Sequence, residues 1–166
     1  MSELTVYSIG HSDHAIDDFV ALLKQHGINA LVDVRSQPYS RWVSQFNREA
    51  LAEAIEAAGL RYVWLGDTLG GRPQDQSLYD GENARPDYDR MAESADFQAG
   101  IEQLLGLAGQ TTVAMMCSEG DYRHCHRTLL ITPALLNCDV RVVHILPDGR
   151  AVEAVKKPEQ LSLFDD

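Results

Sequence analysis

Lysine is scarce in this sequence, positive charge is outnumbered, and long hydrophobic runs do not occur. No apolar stretch approaches the roughly 20 residues that a membrane helix needs, so no membrane partner is expected. The opening MSELTVYSIG lacks the basic start and long apolar core of a secretory leader, and a cytoplasmic chain is expected. Cysteine is also sparse: Cys117, Cys125 and Cys138 form an odd set. In a reducing compartment that argues against a disulfide framework and leaves free thiols, a reactive thiol or a metal open. The formal net charge of −11 repels a phosphate backbone and argues against broad nonspecific DNA binding.

What is present is a globular composition. The chain has 166 residues, 45% of them hydrophobic, which suffices for one ordinary core and excludes a disordered polymer. Of the 14 basic residues only Lys24, Lys156 and Lys157 are lysine. Arginine grips carboxylate and phosphate with a planar fork. Arg35, Arg41, Arg72, Arg123 and Arg127 fall at expected strand ends or loops, which fits one anionic pocket inside an acidic protein. The alternative is surface pairing with the many acids.

Short β-rich runs at residues 5–9, 30–34, 61–65 and 111–116 alternate with helical spacings. Ile16, Phe19, Val20 and Leu23 mark one helix, Leu51, Ile55 and Ala58 a second, and Phe97, Ile101, Leu104 and Leu105 a third. A fourth starts near Arg123 or His124, and Pro133 is expected to kink or shorten it. Residues 140–146 and 151–155 flank Pro147-Asp148-Gly149 and read as a β-hairpin. Residues 66–96 read as a long polar loop, either functional or a disordered insertion. The expected fold is three-layer α/β: a mainly parallel sheet with helices on both faces and a C-terminal antiparallel hairpin. Residues 1–155 form the single domain and 156–166 a flexible tail.

In an open parallel sheet, ligands bind beyond the carboxyl ends of the strands. Four such ends carry polar residues here: Gly10-His11-Ser12, Asp33-Val34-Arg35-Ser36, Gly66-Asp67 with Gly70-Gly71 soon after, and Cys117-Ser118-Glu119-Gly120. The richest segment runs from Cys117 through Arg123, His124, Cys125 and His126 to Arg127. A thiol near a helix start and a cation has its thiolate favoured. Cys117 is the candidate nucleophile, with Glu119 and His126 as proton carriers and His11 and Asp33 completing the site. Arg35, Arg41, Gly70, Gly71, Cys125 and Arg127 are the candidate substrate-binding residues, the glycines allowing close backbone approach.

Gly10-His11-Ser12, Asp33-Val34-Arg35 with Pro38 and Ser40-Arg41, Gly70-Gly71, and Cys117-Ser118-Glu119 leading to Cys125-His126-Arg127 occur in this order. Together they resemble an uncharacterised prokaryotic family, domain of unknown function 488, over roughly residues 5–145. The resemblance implies a small soluble bacterial or archaeal protein and carries no settled activity. Three chemistries are open for the segment. The first is thiol chemistry at Cys117. The second is metal or redox chemistry by Cys117, Cys125 and His126, although seven residues between the thiols is not the usual zinc spacing. The third is a phosphate cradle, since five residues separate Cys117 from Arg123, although Glu119 and Asp121 inside that loop repel phosphate. Cys138 reads as a packed small hydrophobe, and Trp42, Phe46 and Trp64 as core rather than base-stacking platforms.

The tail carries Gln160, Leu161, Ser162, Leu163 and Phe164. This stretch resembles the short peptide by which bacterial DNA-processing proteins dock on the replication sliding clamp. There the glutamine makes polar contacts and the leucine-phenylalanine pair fills an apolar pocket. Intramolecular packing on the sheet edge is the alternative. With a clamp as tether, the protein needs little nucleic-acid affinity of its own. The expectation is an enzyme acting on a nucleic-acid or nucleotide substrate in DNA maintenance. A non-catalytic clamp-binding adaptor and a metal or redox thiol protein are the alternatives.

Overall fold

The computed structural model describes residues 4–73, 75–80, 85–120, 123 and 125–155. Each short apolar run becomes a strand and each amphipathic stretch a helix. In chain order these are β1 (Thr5–Gly10), α1 (Ile16–Gln25), β2 (Ala30–Asp33), α2 (Arg48–Ala57) and β3 (Arg61–Trp64). Then come α3 (Gly66–Leu69), β4 (Tyr79–Asp80), β5 (Arg85–Pro86), α4 (Tyr88–Glu93), α5 (Ala95–Ala108) and β6 (Val113–Cys117). The last elements among the described residues are α6 (Thr132–Asn137), β7 (Arg141–Ile145) and β8 (Ala151–Glu153).

The main sheet has the order β3-β2-β6-β1-β7-β8. All its pairings are parallel except β7 with β8, the C-terminal hairpin. The protein is therefore an α/β fold with the mainly parallel sheet that the sequence implies. Strand side chains alternate between faces, and the alternation sorts the core into two clusters. Leu31, Ala114, Met116 and Ile9 face Phe19 and Leu23 of α1 and Leu51 and Ile55 of α2. Val32, Val34, Met115 and Cys117 face Phe97, Ile101 and Leu104 of α5, and Leu130 and Leu135 around α6. Each fully buried Leu, Ile or Phe contributes about 1.5–3 kcal/mol relative to exposure.

Local chemistry sets the helix limits. Asp17 and Asp18 in the first turn of α1 and Lys24 in its last complement the helix dipole. Gly27, at φ 70°, carries the chain out of it. Ser94 caps α5 by accepting the Phe97 N–H at 3.1 Å. Pro133 does not end its helix. It follows a π-helical turn over Arg127–Ile131 and sits at the start of α6. Proline lacks the N–H that an unbroken α-helix needs, and the wider turn lies where that donor is missing.

The polar stretch at residues 66–96 is more ordered than a plain loop. Its described part holds α3, a 3₁₀ turn at Gln76–Leu78, the β4–β5 hairpin and α4. Asp75 and Asp87 cap the 3₁₀ turn and α4 by accepting backbone N–H groups. Polar composition here marks caps and turns rather than absence of structure.

Candidate functional site

The carboxyl ends of β2, β6 and β1 lie side by side, with Gly10 opposite Cys117 in the β1–β6 register. Gly10 is required by close approach: a Cβ there would overlap the carbonyl oxygen of Glu119. That contact holds the loop after β6 against the end of β1, and the N–H groups of His11 and Ser12 donate to Cys117 O and Ser118 O at 3.0 and 2.9 Å. The strand ends thus meet as expected, but their side chains part to opposite faces.

On the α1–α2 face, Asp33 is fully buried and Arg35 is 6% exposed. Arg35 Nε donates to Asp33 Oδ1 at 2.9 Å and Nη2 to Oδ2 at 2.7 Å, a bidentate pair. Nη2 also donates to Phe46 O at 2.8 Å, and the Tyr62 hydroxyl donates to Asp33 Oδ2 at 2.6 Å. Burial and the Asp33 charge push the Tyr62 hydroxyl far above its usual pKa, so it remains a donor. His11 stacks on the Phe46 ring, with centroids 4.5 Å apart. Its Nδ1 donates to Ser12 O at 2.8 Å, which leaves Nε2 to accept from Arg35 Nη1 at 3.3 Å. Burial, with the Arg35 charge adding to it, lowers the His11 pKa to about 4. His11 is therefore a neutral acceptor at neutral pH, its lone pair committed to Arg35.

On the other face a cavity of about 660 Å³ opens. Cys117, Ser118, Glu119, Cys125 and His126 line one side of it; Arg35, Arg72, Tyr79 and Tyr88 line the rest with neighbouring loop residues. The sulfurs of Cys117 and Cys125 meet as a disulfide pair, their Cα atoms 7.5 Å apart. His126 Nε2 lies 3.0 Å from Val34 O, and a carbonyl only accepts, so Nε2 carries the proton. In the neutral ring Nδ1 then presents its lone pair, 3.8 Å from Cys125 Sγ. Cys117 Sγ lies 3.7 Å from Glu119 O. Gly71 packs against the imidazole, and a Cβ there would sit 3.1 Å from the ring Cγ. Burial raises the Tyr88 hydroxyl pKa, with Arg72 opposing the shift.

The cavity gathers Cys117, Glu119, Cys125, His126, Arg35 and Gly71 from the sequence candidates. His11 and Asp33 lie behind it, holding Arg35. Gly70 is backbone packing, since a Cβ would overlap Ser36 Oγ and Gly66 O. Arg41 lies over the Trp42 ring, 5.3 Å from its centroid, away from the described lining. Trp42 is 84% exposed and Cys138 is also exposed, against the expectation that both are packed; Phe46 is in the core. The side chain of Arg127 and all of residues 160–164 lie outside the described residues. Among the described residues, no group of three or more His, Cys, Asp or Glu side chains is arranged to hold a metal ion. No described helix is long and apolar enough to cross a membrane.

Ser36 at its strand end and Arg72 among the arginines expected around one anionic pocket do line the cavity, whereas sequence reasoning passed over Gln37, Tyr79 and Tyr88. The signal for the tyrosines was their place in a polar, acid-rich stretch that otherwise offers little to bury.

No curated protein and no solved structure matches the chain. The family model described as domain of unknown function DUF488 matches residues 15–132, from the start of α1 past Cys125 and His126. That span includes most of the strand ends and both faces just described, and the chain belongs to this DUF488 family.

Proposed function

We propose that this chain is a cysteine-dependent enzyme acting on an anionic nucleotide or nucleic-acid substrate in DNA maintenance, docked to the bacterial sliding clamp by residues 160–164. The observation that carries the enzymatic part is the meeting of two sulfurs and an imidazole in the wall of a cavity that two arginines also line. Arg72 and Arg35 supply the anion binding. Arg35 donates four of its five N–H groups to Asp33, Phe46 and His11, so its plane is fixed before substrate arrives. With the pair reduced by a cellular dithiol, a site thiol forms the bond to the substrate's electrophilic centre, the leaving group departs with the bonding pair, and His126 takes the thiol proton. Glu119, at the cavity edge, is a second proton carrier. The clamp resemblance in the tail supports the link to DNA, and an address of that kind suits a protein whose charge of −11 disfavours DNA on its own.

Two measurements on the full chain test this reading. Binding of a fluorescent single-stranded oligonucleotide and of nucleoside monophosphates is followed at low salt, with Arg72→Ala expected to weaken it about tenfold, the loss of one charge-assisted contact. Capture on purified clamp is compared before and after deletion of residues 160–164. No binding by the intact chain, or binding indifferent to Arg72→Ala, removes the nucleotide substrate; capture unchanged by the deletion removes the tether. A non-catalytic adaptor would label Cys117 and Cys125 no faster than the exposed Cys138 with iodoacetamide.

A further inference from the structure

The two site thiols are not equivalent. Cys125 Sγ has the Nδ1 lone pair of His126 beside it, and that lone pair is held there because Nε2 is tied to the Val34 carbonyl. Cys117 Sγ lies against the carbonyl oxygen of Glu119, which accepts a hydrogen bond but does not remove a proton. The two sulfurs meet, so an atom bonded to one is within reach of the other. Both cysteines line the cavity, and so do Arg35, Arg72, Tyr79 and Tyr88; the two arginines outnumber Glu119, the one acid in the described lining, and the tyrosines suit a flat anionic molecule.

We propose that the site carries out thiol–disulfide exchange on anionic disulfides, with Cys125 attacking and Cys117 resolving. In the first step His126 Nδ1 takes the Cys125 proton, and the thiolate displaces one half of the disulfide R–S–S–R. This forms Cys125–S–S–R and releases R–S⁻. In the second step Cys117 gives its proton to solvent in the open cavity, and its thiolate attacks the Cys125 sulfur. The Cys117–Cys125 disulfide forms and the second R–S⁻ leaves. The substrate disulfide is reduced by two electrons, the thiol pair is oxidised by two, and a small dithiol such as dithiothreitol resets the pair. This activity goes beyond the proposed function and needs neither nucleotide nor clamp.

The test uses the full-length chain carrying Cys138→Ser, which removes the exposed thiol outside the cavity. The protein is reduced with dithiothreitol, desalted and treated with 5,5′-dithiobis(2-nitrobenzoate), an aromatic disulfide bearing two carboxylates. The expected result is release of two thionitrobenzoate anions per chain with no retained adduct, the intact mass falling by two hydrogens. Adding Cys117→Ser leaves one thionitrobenzoate held on Cys125. Adding Cys125→Ser instead leaves Cys117 to react at least about tenfold more slowly. His126→Asn shifts the pH profile of the Cys125 rate and leaves that of Cys117 in place. Arg72→Ala lowers the rate with this reagent relative to neutral 4,4′-dithiodipyridine.

Adduct retained in the Cys138→Ser protein without an internal disulfide overturns the proposal. So do equal rates at Cys117 and Cys125, or an unchanged Cys125 pH profile in His126→Asn. A rate ratio between the two reagents that ignores Arg72→Ala overturns the anionic specificity. The stoichiometry of the Cys138→Ser protein needs no site variant, and circular dichroism melts identify any variant that fails to fold. Oligonucleotide and clamp binding measured on the same preparations separate failure here from failure of the function proposed above.

Discussion

Two regions share the carboxyl edge of one sheet and are built on opposite terms. On the α1–α2 face, Asp33, Arg35, His11 and Tyr62 are locked together with Phe46 against them. On the α5–α6 face, Cys117, Cys125 and His126 stand in the wall of an open cavity with Arg72 and Tyr88. Arg35 belongs to both, paired on one side and lining the cavity on the other. The contrast teaches that charge at a strand end does not by itself make a reactive group. Period-two alternation sends adjacent strand positions to different faces, and the face decides whether a group is sealed in the core or lines the cavity.

The sharpest way to break this comparison is at the ion pair. Asp33→Ala leaves the Arg35 guanidinium buried without its carboxylate, and a loss of about 3–5 kcal/mol in urea denaturation is expected. A loss under about 1 kcal/mol would mean that the locked region is not locked.

The next effect is in the pH dependence. His11 has a folded-state pKa of about 4, below the 6.5 of an unfolded histidine. The unfolded chain therefore binds this proton first as pH falls. The His11 contribution is intact above about pH 6.5 and declines down to about pH 4, amounting to roughly 3 kcal/mol over that window. His11→Gln should flatten this part of the stability–pH curve. An unchanged slope between pH 6.5 and 4 in the variant would place the acid sensitivity elsewhere.

A smaller effect lies on the open side. Gly71→Ala brings a Cβ to 3.1 Å from the His126 ring. The expected outcome is a stability change of about 1 kcal/mol together with slower alkylation of Cys125. Faster alkylation would show that the ring shields the thiol instead of assisting it. The smallest effect is at Trp42, 84% exposed, where Trp42→Ser should leave stability within about 0.5 kcal/mol of the parent by thermal melt.

The strands were legible because each is a short apolar run between turn residues, and the parallel sheet followed from their alternation with helices. The thiol segment was legible from its density of reactive side chains, and Cys117, Cys125 and His126 do line one cavity. The division between faces was less so. His11 and Asp33 looked like members of the same hollow because chain position gives the end of a strand but not what covers each side. Phe46 and Tyr62, which come from other elements, close the space around them. Tyr79 and Tyr88 were hidden by the opposite error, since a polar stretch reads as solvent until its caps and hairpin are seen. Trp42 misled because aromatic rings are usually buried, and this one lies beneath an arginine on the surface.

The imidazole of His126 takes its orientation from the peptide oxygen of Val34, whose own N–H continues the ladder to Met116. A main-chain atom cannot be replaced by exchanging a side chain. Drift at position 34 among residues of similar bulk would leave the ring's protonation pattern untouched, whereas a one-residue slip of the strand would abolish it. The orientation of the imidazole beside Cys125 is thus inherited with the sheet itself, and is as durable as the pairing of its central strands.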